Sequence, residues 1–241
     1  MLAHMIADYP LQTDWVFKVR HAHRSGILVH ILLQVLTTII LLSPYLLNLR
    51  TWLVIAGIFV THLLIDQIRK NNIWVFLLDQ VLHLGVIIAA TLAMRGVEPM
   101  SLPIWLANFW FNNALIMILV GFLTASFVGT ILILFIKVTW RPGFTVKQGL
   151  SSYEKTTGAL ERGLVFVLAI LGWYINPIFY IFIVIPPTLR LFFWQRWRDE
   201  SGHYQNVYLA DIVTGFVYTM LVACITIICA DYLIPSIIAT A

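Results

Sequence analysis

Seven apolar stretches, most close to the roughly 20 residues a helix needs to cross a hydrocarbon layer about 30 Å thick, consume most of this 241-residue chain. They run over 27–48, 51–67, 72–94, 113–137, 160–175, 177–194 and 205–230. The composition agrees: 61% of residues are hydrophobic and 11% charged, against roughly 25% charged in soluble domains. A water-soluble globule is excluded. The expected fold is all-α, a polytopic transmembrane bundle of about seven spans plus a short N-terminal half-helix. The longest inter-span stretch, 138–159, is too short to bury a core of its own. One membrane-embedded domain is therefore expected, with residues 1–95 as a half-helix and three spans, and residues 96–241 as a four-span region.

The leading segment from Met1 to Asp8 lacks the basic region and apolar run of a secretory signal. It is too short to span, and reads as a half-helix docked on its neighbours or the remnant of a longer span. Residues 102–112, with Trp105, Phe109, Trp110 and Phe111, suit a short helix in the headgroup layer, where amphipathic rings favour the interface. Asn176-Pro177 interrupts the long apolar run and turns it into a helical hairpin.

If the spans alternate in direction, one face receives thirteen basic residues: Lys18, Arg20, Arg24, Arg69, Lys70, Lys137, Arg141, Lys147, Lys155, Arg162, Arg190, Arg196 and Arg198. The other receives Arg50 and Arg95. Short cytoplasmic loops carry the Lys and Arg residues, so the basic face is expected in the cytoplasm of a bacterial inner membrane, with the C-terminus outside. The net charge of +4 lies in these loops and gives no basic stripe interleaved with aromatics, so nucleic acid is not an expected partner. Membrane lipids are.

Three segments share one grammar. His4 and Asp8, His62 and Asp66, and Asp79 and His83 are each four residues apart, which on a helix places both side chains on one face, about 6 Å apart along the axis. The third pair is reversed in sequence, as an antiparallel helix requires if all histidines are to lie deeper than the aspartates. The segment Ala3–Asp8 also echoes Thr61–Asp66, which admits a duplicated helix pair. His30 opens its span on the same side. Carboxylates within a bilayer cost roughly 2.5–3.5 kcal/mol each near a helix centre and need compensation. Imidazole and carboxylate donors suit a divalent metal of the zinc, manganese or iron type, with leftover groups able to activate water. His4, Asp8, His62, Asp66, Asp79 and His83 are the candidate ligands, near the cytoplasmic leaflet, and hydrolysis is the candidate chemistry. Two other readings stay open: hydrogen bonds that merely lock the bundle, and axial ligation of haem or a chlorophyll-type pigment by His30, His62 or His83.

Other polar residues read more simply. His21, His23 and His203 suit solvated or headgroup-contacting loops. Glu161 and Arg162 suit capping and topology at a helix start, and Asp211 a bond to a neighbouring helix. Gly121, Ala125 and Gly129 form a small-residue packing face.

At Ala3-His4 through Asp8, Pro10-Leu11-Gln12-Thr13-Asp14-Trp15, the His30 region, Thr61-His62-Leu63-Leu64-Ile65-Asp66 and Phe76 through His83, the chain resembles a bacterial family of polytopic membrane proteins known as domain of unknown function 3307. The resemblance covers the first 95 residues well and the remainder by layout. It implies membrane location and the same polar grammar, and no established reaction. A non-catalytic accessory subunit of a larger membrane complex, contacting partner helices, quinone or pigment, is the alternative to a metal-dependent hydrolase.

Overall fold

The structure is a computed structural model that describes residues 1–12, 16, 24–68, 72–140, 152–194 and 209–233. Every regular element among these residues is helical. The chain separates into two compact units, Met1–Asn112 and Asn113–Ala241.

The N-terminal unit holds α1 (Leu2–Asp8), α2 (Arg24–Leu41), α3 (Leu49–Ile65), α4 (Ile73–Ala93) and the short α5 (Ile104–Trp110). Successive packing of α1 on α2, α2 on α3 and α3 on α4 brings their inner faces together. Polar capping fixes where the helices start. The Asn48 side chain accepts from the Arg50 amide at 2.9 Å, and Asn72 accepts from the Val75 amide at 3.0 Å, each satisfying an amide that a helix start leaves open. At the other end of α4 the chain turns through Gly96, whose φ is +74°, a conformation that suits glycine. The short helix expected over 102–112 is α5, with Ile104, Trp105 and Phe109 exposed. Its Trp110 indole donates to the Leu41 carbonyl at 3.1 Å, which ties it to the end of α2. The leading half-helix is α1, with Met5 and Ala7 buried.

The C-terminal unit holds α6 (Asn113–Leu123), a π-turn over Thr124–Val128, α7 (Gly129–Trp140), α8 (Ser152–Tyr174), α9 (Phe179–Phe182), α10 (Ile185–Trp194) and α11 (Leu209–Leu233). Its core sits where Ala125, Val165, Phe166, Ala169, Ile183 and Ala223 meet. The small-residue face is packed within the unit: a Cβ at Gly121 would meet Phe166, and one at Gly129 would meet Tyr218 and Arg162. The break at Asn176-Pro177 stands, with α8 ending at Tyr174 and the Asn176 side chain accepting from the Ile178 amide at 2.9 Å.

Among the described residues, four helices are long and apolar enough to cross a membrane: Ile73–Ala93, Asn113–Trp140, Lys155–Tyr174 and Asp211–Tyr232. The other expected spans fall on shorter apolar helices, Gly26–Leu41, Leu49–Ile65 and Phe179–Phe192. Leucine, isoleucine, valine and tryptophan line the outer faces, as with Leu28, Leu32, Leu36 and Ile40 on α2 and Trp74, Leu78, Val81 and Ile88 on α4. Apolar surface on this scale is foreign to soluble monomers and suits lipid.

Candidate metal centre

Each of the four inner helices of the N-terminal unit delivers polar side chains to one spot. Helix α1 brings His4 and Asp8, α2 brings His30, the end of α3 brings His62 and Asp66, and α4 brings Asp79 and His83. The helical period explains the delivery: in α3 Thr51, Ile55 and His62 are all buried, and in α4 Ile73, Phe76, Asp79 and His83, positions three and four apart that share a face. The histidines and aspartates of these helices thus point inward rather than to lipid. His30 and Asp79 have no exposed surface, and His4, His62, Asp66 and His83 are buried.

The four imidazoles form a close set. His62 stands between two others: its Nε2 lies 3.2 Å from His30 Nε2 and its Nδ1 3.0 Å from His83 Nε2. His4 stacks on His83 with ring centroids 4.5 Å apart. Carboxylates surround them. Asp66 Oδ2 lies 3.2 Å from His30 Nε2 and 3.4 Å from His62 Nε2. Asp8 Oδ1 lies 3.6 Å from each of these same two nitrogens, while its Oδ2 lies 3.6 Å from His4 Nδ1. On α4, the His83 Nδ1–H donates to the main-chain carbonyl of Asp79 at 2.8 Å. That bond places the ring proton on Nδ1 and turns the Nε2 lone pair toward His62. Asp79 Oδ2 accepts from Gln80 Nε2 at 2.8 Å, and Tyr9 donates to Gln80 Oε1 at 3.1 Å, so α4 and the residue that follows α1 hold that carboxylate in place together.

The spacing is that of a ligand shell. Metal–nitrogen and metal–oxygen bonds of about 2.0–2.2 Å put two donors on one ion about 3.0 Å apart at a right angle and about 3.4 Å apart at the tetrahedral angle. The closest donor pairs from different helices lie 3.0–3.6 Å apart. Three overlapping groups, His4/Asp8/His62/His83, His30/His62/Asp66 and Asp66/Asp79/His83, each present ligand atoms within 4.8 Å of one another.

All six residues singled out by four-residue spacing are therefore brought together. The same grammar passes over His30 as a ligand, because its neighbour four positions on is Gln34 rather than an aspartate. Both are buried, and among the described residues the His30 Nδ1 and Gln34 Oε1 atoms have no hydrogen-bond partner; the signal in the sequence is a histidine and a glutamine on one face of an otherwise apolar helix. His21, His23 and His203 lie outside the residues whose side chains the structure describes.

In the C-terminal unit the reading of Glu161 and Arg162 as capping charges is corrected. Helix α8 starts at Ser152, so both residues lie well inside it, and both are buried. Arg162 donates to the Ala125 carbonyl at 3.1 Å, to the Ser126 carbonyl at 3.2 Å and to the Thr130 hydroxyl, which satisfies the acceptors at the π-turn. Arg190 donates to Glu161 Oε2 at 2.5 Å. Asp211 makes the bond to a neighbouring helix that its position suggests, to Lys137 Nζ at 2.5 Å.

Comparison with known proteins gives a family match. A family model described as "Protein of unknown function (DUF3307)" matches residues 1–111, which is the N-terminal unit up to its last residue. The family resemblance read from the sequence therefore holds over that unit, and it is this unit that carries the His/Asp cluster. No curated protein and no solved structure matches the chain.

Proposed function

We propose, from an N-terminal unit that matches a family of unknown function, that the protein is a multi-pass membrane protein whose His/Asp cluster binds divalent metal and hydrolyses a lipid-linked substrate. One observation carries the reading: seven donor residues from four helices converge at ligand-shell spacing in a buried site. Bundles need no such convergence to be stable, since each intramembrane ionisable group raises the cost of insertion. His4, Asp8, His30, His62, Asp66 and His83 are the groups that hold the metal, with Asp79 beside them. A bound divalent ion supplies Lewis acidity toward a carbonyl or phosphoryl oxygen and lowers the pKa of water. The protein's own part is to orient the imidazoles, as the Asp79 carbonyl does for His83, and to keep bulk water away.

A groove of about 480 Å³ between α2 and α3 supports the substrate class. Its lining, including Leu28, Leu32, Val35, Trp52, Ile55 and Phe59, is apolar, and it runs along the two helices that carry His30 and His62. An acyl or isoprenoid chain in that groove would leave its head group near the cluster. In this reading all seven apolar helices cross the membrane, the basic loops face the cytoplasm of a bacterial inner membrane, and the C-terminus lies outside.

The test is metal content of the purified full chain, together with release of a water-soluble product from a labelled lipid extract. Stoichiometric metal, less of it in an Asp66→Asn/Asp79→Asn double variant and chelator-sensitive release are expected. Wild-type protein that stays metal-free when supplied with zinc or manganese ends the reading.

A further inference from the structure

We infer that the cluster is built for two divalent ions, with His62 and Asp8 shared between them. This rests on the metal reading above and goes beyond it in number, position and ligand assignment.

The two nitrogens of an imidazole have lone pairs that diverge, so they cannot serve one ion. Both nitrogens of His62 face other donors. On the Nε2 side stand His30 Nε2 at 3.2 Å, Asp66 Oδ2 at 3.4 Å and Asp8 Oδ1 at 3.6 Å. On the Nδ1 side stands His83 Nε2 at 3.0 Å, its lone pair aimed at His62 by the bond from its own Nδ1 to the Asp79 carbonyl. The carboxylate of Asp8 divides in the same way. Its Oδ1 faces His30 and His62, and its Oδ2 faces His4 Nδ1 at 3.6 Å. His4, Asp8, His62 and His83 together present ligand atoms within 4.8 Å of one another, as do His30, His62 and Asp66.

Two complements of four donors follow. One comprises His30 Nε2, His62 Nε2, Asp66 Oδ2 and Asp8 Oδ1; the other comprises His62 Nδ1, His83 Nε2, His4 Nδ1 and Asp8 Oδ2. Each is the usual number for zinc, whereas these eight donor atoms exceed what a single tetrahedral or octahedral ion takes up. Asp79 belongs to the outer layer, where it orients His83 through its carbonyl while Gln80 fixes its carboxylate. Ligation through both ring nitrogens releases the His62 proton to solvent as the ions bind. Paired ions joined by shared ligands are a recurrent arrangement for hydrolysis, one activating water while the other polarises the bond to be cleaved.

The experiment uses the full chain in detergent, stripped with chelator and reloaded with manganese alone. Metal per chain is measured by elemental mass spectrometry, and coupling between ions by electron paramagnetic resonance. Two ions per wild-type chain are expected, with an exchange-coupled spectrum instead of the isolated-ion hyperfine pattern. His30→Gln and His83→Gln each remove a donor belonging to one complement, and each should bind one ion with an uncoupled spectrum. One ion per wild-type chain overturns the pair and leaves the metal reading standing; none overturns both. Two uncoupled ions overturn the sharing of His62 and Asp8. If either variant fails to fold by circular dichroism and gel filtration, the wild-type coupling decides alone.

Discussion

Buried acids in the C-terminal unit pair with basic side chains, Asp211 with Lys137 and Glu161 with Arg190 at 2.5 Å each. In the N-terminal unit the imidazoles of His4, His30, His62 and His83 stand beside Asp8, Asp66 and Asp79 instead. The difference is chemical. A lysine or arginine has no lone pair to offer, so such a pair is complete in itself and serves to hold helices. A neutral imidazole keeps one lone pair that a proton or a metal can take. One region thus has the character of a fixed lock and the other that of a site whose occupancy can change.

The sharpest way to break this contrast is to remove one partner from the lock. Lys137→Met leaves the Asp211 carboxylate buried without its ammonium, and should cost about 3–5 kcal/mol, read as a lowered midpoint in denaturant titration of the detergent-solubilised chain. Adding Asp211→Leu should recover most of that loss, since two apolar groups replace a desolvated pair. A single variant that behaves like wild type would mean that the pair is solvated and the lock is not one.

The second largest effect belongs to the other region. A ligand that binds only the folded state stabilises by mass action, about 2.7 kcal/mol at a free concentration of 100 times Kd. Zinc or manganese should therefore raise the thermal midpoint of wild type, and chelator should reverse it. Asp66→Asn should shrink the increment, and Lys137→Met should keep it in full despite a lower starting point. An increment of equal size in both variants would erase the distinction between the two regions.

Acid sharpens the same comparison at smaller amplitude. Metal binds the unprotonated imidazole, so protons compete and affinity falls as pH drops. The metal-dependent increment should be largest in mildly alkaline solution and fade as the pH is lowered. Because protonated histidine cannot ligate, the sign is fixed: acid weakens, alkali restores. Thermal scans of the chelated protein over the same range isolate whatever part of the pH dependence is not metal-linked.

The degree to which each region is legible in sequence follows from the same chemistry. Four-residue spacing is a local property that a helix converts directly into a shared face, and the reversal of Asp79 and His83 encodes the antiparallel direction of α4. That is why spacing alone places six residues on three helices together. His30 is missed because its role depends on which helix α2 packs against, and no acidic residue four positions away marks it. Arg162 is misread for a related reason. Its acceptors are main-chain carbonyls of Ala125 and Ser126, far away in sequence, and main-chain groups exposed by a π-turn leave no side-chain signature. Apolarity locates the helices of both units, while the long start of α8 from Ser152 hides in a polar stretch that reads as loop.

The smallest expected effect separates the two units by their glycines. In the N-terminal unit, a Cβ at Gly85 on α4 would meet nothing within 4 Å, so Gly85→Ala acts through helix propensity alone, a gain of up to about 1 kcal/mol. In the C-terminal unit, a Cβ at Gly129 would lie 2.8 Å from the Tyr218 ring and 2.9 Å from Arg162 Nε. There the same substitution must displace a guanidinium already committed to the π-turn, and overpacking of about 1–3 kcal/mol outweighs the propensity gain. Opposite signs in equilibrium unfolding of Gly85→Ala and Gly129→Ala are expected. Equal signs would mean that the small-residue face around Gly129 yields as readily as the lipid-facing side of α4, and that the tight seat of Arg162 is not what holds the C-terminal unit together.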